Sequence, residues 1–254
     1  MATGLKIVSP AEVSTLHLDP VDVRAKEQAS AILNEVKSKG LDGLLDVAVR
    51  LKDIETKDSK YCYTKEDCER AFDGLSQETK DTLQRTAARI RKFAMSQRAA
   101  ITNMITDIPG GQAGHDVAPV NCAGCYAPGG RYPLPSSVLM TAITARAAGV
   151  NEVWVSSPRP VTETLAAAYL ADADGLLAIG GAQAIGAMAY GIEGVMPPCD
   201  VIVGPGNKWV TAAKSIVSGI CAIDMLAGPS EVLVIADETC DPATVASDRK
   251  CSLS

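Results

Sequence analysis

At 254 residues the chain is long for one domain and short for two full ones, so one large or two interleaved α/β units are the expected range. Hydrophobic residues at 47% and charged residues at 21% are ordinary for a globular protein, while scarce aromatics (4%) and plentiful Ala and Gly suit helices packed closely on a sheet. A formal net charge of −6 offers no basic footprint for DNA or RNA, and no apolar run is long enough to span a bilayer, so neither nucleic acid nor a membrane is an expected partner.

Met1 to Pro10 lacks the basic flank and apolar run of a secretory signal and is not rich in Arg and Ser like a transit peptide, which makes the cytoplasm the expected compartment. There, the eight cysteines are expected as free thiols. Ala29, Ile32, Leu33 and Val36 recur at the spacing of one helix face, and Gly40 is the expected stop. Ser76 is an expected N-cap for a second amphipathic helix carrying Leu83, Ala87, Ile90 and Ala94. Residues 107–121, rich in Gly and Pro, break the periodicity and read as a linker or a crossing between domains.

Beyond that stretch, short apolar runs alternate with helices. The predicted strands are Val153 to Ser156, Leu176 to Ile179, Val201 to Val203 and Val232 to Ala236. Between them the predicted helices are Ser137 to Ala148, Val161 to Ala173, Gln183 to Tyr190 and Lys208 to Ser218, several ending at glycine. Right-handed crossovers of this kind give a doubly wound parallel sheet, whose ligands bind outside the carboxyl ends of the strands.

The loops at those ends are therefore the candidates. Tyr126-Ala127-Pro128-Gly129-Gly130 precedes a helix with Ser136 and Ser137 in its first turn, where glycines let backbone approach a ligand and free amides suit a phosphate; a plain Pro/Gly connector is the alternative. Gly180-Gly181-Ala182-Gln183 puts a glycine pair and a side chain that both donates and accepts at a helix start. Gly204-Pro205-Gly206-Asn207 repeats the layout, with Asn207 placed to serve as an N-cap, a ligand contact or both. The usual G-x-G-x-x-G is absent because Trp209 occupies the third glycine position, and no phosphate-binding P-loop motif occurs. Asp224, Ser230 and Glu231 flank Gly228-Pro229 as candidates for a polar substrate, solvated acids being the alternative. Metal ligands are scarce: His17 and His115 are the only histidines, and Cys122-Ala123-Gly124-Cys125 is a single C-x-x-C without a second pair.

Taken together, Tyr126 to Gly130, Gly180 to Ala184, Gly204 to Asn207 and Ala227 to Asp237 closely resemble the histidinol dehydrogenase family, over about Val21 to Asp248. The resemblance implies an α/β protein of two incomplete Rossmann-like parallel-sheet units, the first cut short. It implies NAD-dependent oxidation of L-histidinol to L-histidine through the aldehyde, with zinc, in a homodimer. On it, Tyr126, Gln183 and Asn207 match NAD contacts and Ser230 a substrate contact. The implied division is an N-terminal arm (1–21), helices of the first unit (22–106, continued by 230–248), the linker, an NAD-binding unit (122–229) and a tail (249–254) unlike the family. The family's zinc ligands and its catalytic Glu-His pair find no counterpart in the chain, so no catalytic or metal residue is assigned and turnover by this chain alone is not expected.

Overall fold

A computed structural model describes residues 21–129, 133–226 and 235–251. Helix α1 (Val23–Arg50) starts where the Asp22 carboxylate accepts from the Ala25 amide. Its Ala29, Leu33 and Val36 are buried and Ile32 half-buried, as their spacing requires. Gly40 ends the first helical segment as expected: its backbone turns to φ 56°, ψ −129°, and a second helical segment follows at once across the kink, burying Leu44, Val47 and Ala48. Strand β1 (Cys62–Thr64) leads into α2 (Lys65–Asp73), which Thr64 and Asp67 close with a reciprocal capping box. Ser76 caps α3 (Gln77–Ala99), its hydroxyl accepting from the Thr79 amide, and Leu83, Ala87 and Ala94 face inward.

The stretch expected as a linker holds local structure. Strands β2 (Met104–Ile108) and β3 (Gly111–His115) pair as an antiparallel ribbon, turned at Gly110, where φ is +87°. Every residue of both strands is exposed, so no buried alternation marked them in the sequence.

The main sheet is built from β4 (Cys122–Tyr126), β5 (Glu152–Ser156), β6 (Gly175–Leu177), β7 (Val201–Val203) and β8 (Ala222–Ile223), joined by β1 at one edge. Its order is β1-β6-β5-β4-β7-β8, all parallel except β1 against β6. The chain thus winds outward from β4 to β6, then crosses back to lay β7 on the other side of β4. That reversal defines a doubly wound, Rossmann-like sheet with its switch point between β4 and β7. Connecting helices are α4 (Pro135–Ala147), α5 (Thr162–Leu170), α6 (Gly181–Tyr190) and α7 (Lys208–Val217); α8 (Pro242–Cys251) comes near the end of the chain. The α/β expectation holds, but the predicted elements omitted β4 itself. Cys-Ala-Gly-Cys-Tyr has no β-branched residue and a central glycine, so it carries almost no strand signal although every residue is buried.

Helices α1, α6 and α7 pack together on one face, and α2 to α5 on the other. Small residues make this possible. Gly186 of α6 lies against Leu33 and Val36 of α1, and an ideal Cβ at Gly124 would come within 2.8 Å of the Met188 sulfur. The predicted strand Val232 to Ala236 begins at residues outside those described, as do Gly228, Pro229, Ser230 and Glu231.

Candidate functional site

The carboxyl ends of β4 to β7 open into a cleft of about 760 Å³, walled by the turns after all four strands and by α1. Tyr126, Gln183 and Asn207 all line it. Tyr126 closes β4 and is buried, its hydroxyl oxygen accepting from the Gly181 amide at 3.1 Å. Burial pushes its phenol up to about 12, so it is neutral near pH 7 and keeps a proton to donate. Gly181 begins α6 with φ +63°, a left-handed conformation that glycine adopts without penalty.

Gln183, 1% exposed, donates from Nε2 to the Asp53 carboxylate at 2.7 Å, while its Oε1 has no hydrogen-bond partner among the described residues. An unpaired buried carbonyl costs roughly 1–3 kcal/mol, which makes a cleft-wall atom of this kind a place for a ligand donor. Asp53 also accepts from the Gly180 amide at 2.9 Å. Burial raises its carboxyl above the ordinary value, against the pull of these two hydrogen bonds and of the Arg159 charge.

Asn207 serves as the N-cap of α7, its Oδ1 accepting from the Trp209 and Val210 amides, both at 3.1 Å. The Nδ2 hydrogens are left without a partner among the described residues, so capping and ligand contact are compatible. The Trp209 indole, which displaced the expected third glycine, donates to Gln28 Oε1 at 2.7 Å and forms part of the cleft wall.

The turn carrying Asn207 is held from below. Gly204 has φ +118°, and an ideal Cβ there would sit 2.0 Å from the Tyr126 carbonyl oxygen, so only glycine lets these two loops touch. Its amide donates to Asp224 Oδ2 at 2.8 Å, and its carbonyl accepts from Lys214 Nζ at 3.1 Å. Lys214, almost fully buried, is also ion-paired with Asp224 Oδ1, which accepts in addition from the Met225 amide at 2.7 Å. Asp224, a sequence candidate for a polar substrate, is thus committed to shaping the loop.

Other sequence candidates fall elsewhere. Ser136 and Ser137 are not among the residues lining the cleft, and Ser230 and Glu231 lie outside the described residues. Cys122 and Cys125 are three apart on one strand and join the cores on opposite faces, so they do not form a ligand pair; the thiol near Cys122 is Cys199, at 3.5 Å. Among the described residues no three His, Cys, Asp or Glu side chains converge on a metal-sized site, and no helix is long and apolar enough to cross a membrane. Sequence reasoning missed Gln28, Asp53 and Arg159. Each is a polar residue without a motif, and only the packing of α1 and the turn after β5 against the cleft reveals them.

A sequence model of the family described as histidinol dehydrogenase matches residues 19–250. The histidinol dehydrogenase of Methanosarcina barkeri is 45% identical over 224 residues, covering 86% of this chain and 51% of that protein. That of Methanococcus maripaludis is 42% identical over 223 residues, covering 86% and 52%. The chain therefore spans about half the length of the curated relatives it matches. A crystal structure of histidinol dehydrogenase from Elizabethkingia anophelis is similar with a TM-score of 0.82 and 30% identity, over 96% of this chain and 57% of that one.

Proposed function

This chain belongs to the histidinol dehydrogenase family, an oxidoreductase family, and on that footing we propose that it carries the NAD-holding part of the machinery that oxidises L-histidinol to L-histidine through the aldehyde, in histidine biosynthesis. One observation carries the reading: turns from separate strands bring a buried phenol, an unpaired buried amide oxygen and a cap with free amide hydrogens to one cleft at the switch point of a parallel sheet. These groups fit a dinucleotide, which presents both donors and acceptors. When bound, NAD accepts the hydride released by the substrate carbon. Tyr126 and Asn207 would donate to it and Gln183 would accept from it, while the glycines at 180, 181 and 204, packed without a Cβ against Pro158, Gln183 and Tyr126, let the loops that carry these groups meet.

Ser230 is proposed as a substrate contact. The described residues do not fit a zinc site, and no step is assigned through that metal. We further propose a homodimer located in the cytoplasm, with 122–229 as the dinucleotide unit and 22–106 with 230–248 as the second. The alternative reading, in which the chain binds NAD or pairs with a subunit without turnover, needs only the cleft and the groups that line it.

Calorimetric titration with NAD tests the cleft. Gln183→Ala and Asn207→Ala should each weaken binding about five- to tenfold, the worth of one hydrogen bond of about 1–1.4 kcal/mol, and affinity unchanged in both variants would refute the assignment. Supplied with L-histidinol, NAD and zinc, the purified chain should yield no NADH above background; clear turnover would place a complete catalytic apparatus within these 254 residues.

A further inference from the structure

We propose that Asp53 is the positioning residue that fixes which way the Gln183 amide faces, so that this wall of the cleft selects an NH2 group on the ligand. The inference rests on the dinucleotide reading above and adds a residue and a rule of selectivity to it. Asp53 is itself firmly placed. Helix α1 ends with Lys52 in the left-handed region (φ 62°), and the Asp53 amide reaches back to the Ala48 carbonyl at 2.8 Å, a Schellman-type closure. The carboxylate is thereby set beneath the turn after β6, where one oxygen, Oδ2, accepts from both the Gly180 amide and Gln183 Nε2.

An ionised carboxylate only accepts, so the end of the Gln183 amide that faces it must be the NH2. The reversed amide would set its carbonyl oxygen against the Asp53 oxygens. Orientation is therefore decided by chemistry, and it leaves Oε1 as the unpaired, buried atom at the cleft wall. Gly181 leaves that oxygen room in this position, since an ideal Cβ there would lie 2.8 Å from it. A ligand hydroxyl would suit either orientation, because it both donates and accepts. An NH2 only donates, so unlike a hydroxyl it can pair with this wall only while the amide is held with its oxygen toward the ligand. In NAD two groups have this chemistry, the adenine amine and the nicotinamide carboxamide.

Two analogues separate these sources: the hypoxanthine dinucleotide, with oxygen in place of the adenine amine, and the acetylpyridine dinucleotide, with a methyl in place of the carboxamide NH2. The full chain should bind one of them at least about tenfold more weakly than NAD, as expected when a buried acceptor loses its donor. Asp53→Ala, by freeing the amide to turn, should shrink that preference to within about threefold. Asp53→Asn, whose single carbonyl oxygen can accept both bonds, should retain it. Without any ligand, hydrogen exchange of the Gln183 NH2 and the Gly180 amide should be slow in the parent and in Asp53→Asn, and at least about tenfold faster in Asp53→Ala.

A preference that persists in Asp53→Ala, exchange that does not change, or a parent that binds both analogues as tightly as NAD would each overturn the inference while leaving NAD binding intact. No NAD binding by the parent would instead overturn the proposed function and the ligand rule together, and the exchange rates would still decide whether Asp53 holds Gln183. Should Asp53→Ala fail to fold, Gln183→Glu sets two carboxylates face to face. Preference lost there and recovered on adding Asp53→Asn supports the assignment; no recovery overturns it.

Discussion

The turns at the carboxyl edge of the sheet and the β2–β3 ribbon are both glycine-bearing segments that interrupt the regular pattern; Gly114 of the ribbon is confined by its own partner strand, with an ideal Cβ 2.3 Å from the Met104 carbonyl oxygen, but Gly204 and Gly111 meet different surroundings. At Gly204 the backbone of one loop lies against the backbone of another, with no space for a Cβ beside the Tyr126 carbonyl. At Gly111 in the ribbon, an added Cβ would meet nothing within 4 Å. Glycine content alone is therefore no marker of a site. What marks it is the use of glycine to bring polar backbone and side chains of distant loops within reach of one another.

The sharpest test of that difference is a pair of alanine substitutions. Gly204→Ala should destabilise the chain by roughly 3–5 kcal/mol in urea unfolding, because a left-handed backbone and a backbone clash coincide. Gly111→Ala should change stability by no more than about 0.5 kcal/mol. Equal costs at the two positions would erase the distinction.

A smaller effect is expected one layer below the loop. Lys214→Met leaves the Asp224 carboxylate and the Gly204 carbonyl without their cation. The loss should be about 2–3 kcal/mol, less than for a fully buried pair because Asp224 is about one-third exposed. A variant as stable as the parent would show the ion pair to be incidental to the edge.

Asn207 separates capping from ligand contact. Asn207→Ala should cost about 1 kcal/mol of stability through the lost cap, whereas Asn207→Ser keeps a capping oxygen and should stay within about 0.5 kcal/mol of the parent. If both variants lose NAD affinity alike, the Nδ2 hydrogens serve the ligand; if only the alanine variant does, the residue acts through the helix.

The smallest expected effect is a pH dependence. The Asp53 carboxyl is held above its ordinary value of 3.8, chiefly by burial. A folded-state value above the unfolded one contributes stability that is fully present below 3.8 and is lost as pH rises through the raised native value. The stability of the parent relative to Asp53→Asn should therefore fall as pH rises across that interval. A difference that grows instead would mean that hydrogen bonding, not burial, dominates at this carboxylate.

Much of the edge was legible in the residues. Buried parallel strands read as short apolar runs, so β5, β6 and β7 were expected within two residues of their observed bounds, and the glycine turns after β6 and β7 fell where strands hand over to helices. Strand β4, the centre of the sheet, was not legible, because cysteine, alanine and glycine fill it by fitting neighbours such as Met188 and Cys199 rather than by any strand preference of their own. Asp224 was legible as a loop acid but not in its role, since the lysine that claims it lies on the buried side of α7.

Local chemistry along the chain determined the helix caps at Ser76 and Asn207, the alternation of strand and helix, and the motifs that place the chain in its family. Those features depend on residues a few positions apart, which any segment carries with it. Tertiary structure alone decided that Asp53 meets Gln183 across 130 positions, that Gly204 touches Tyr126, and that Gln28 and Trp209 share a hydrogen bond at the cleft wall. Periodicity tells which face of an element is buried but not what lies opposite, and partners so far apart are chosen only when the helices dock on the sheet.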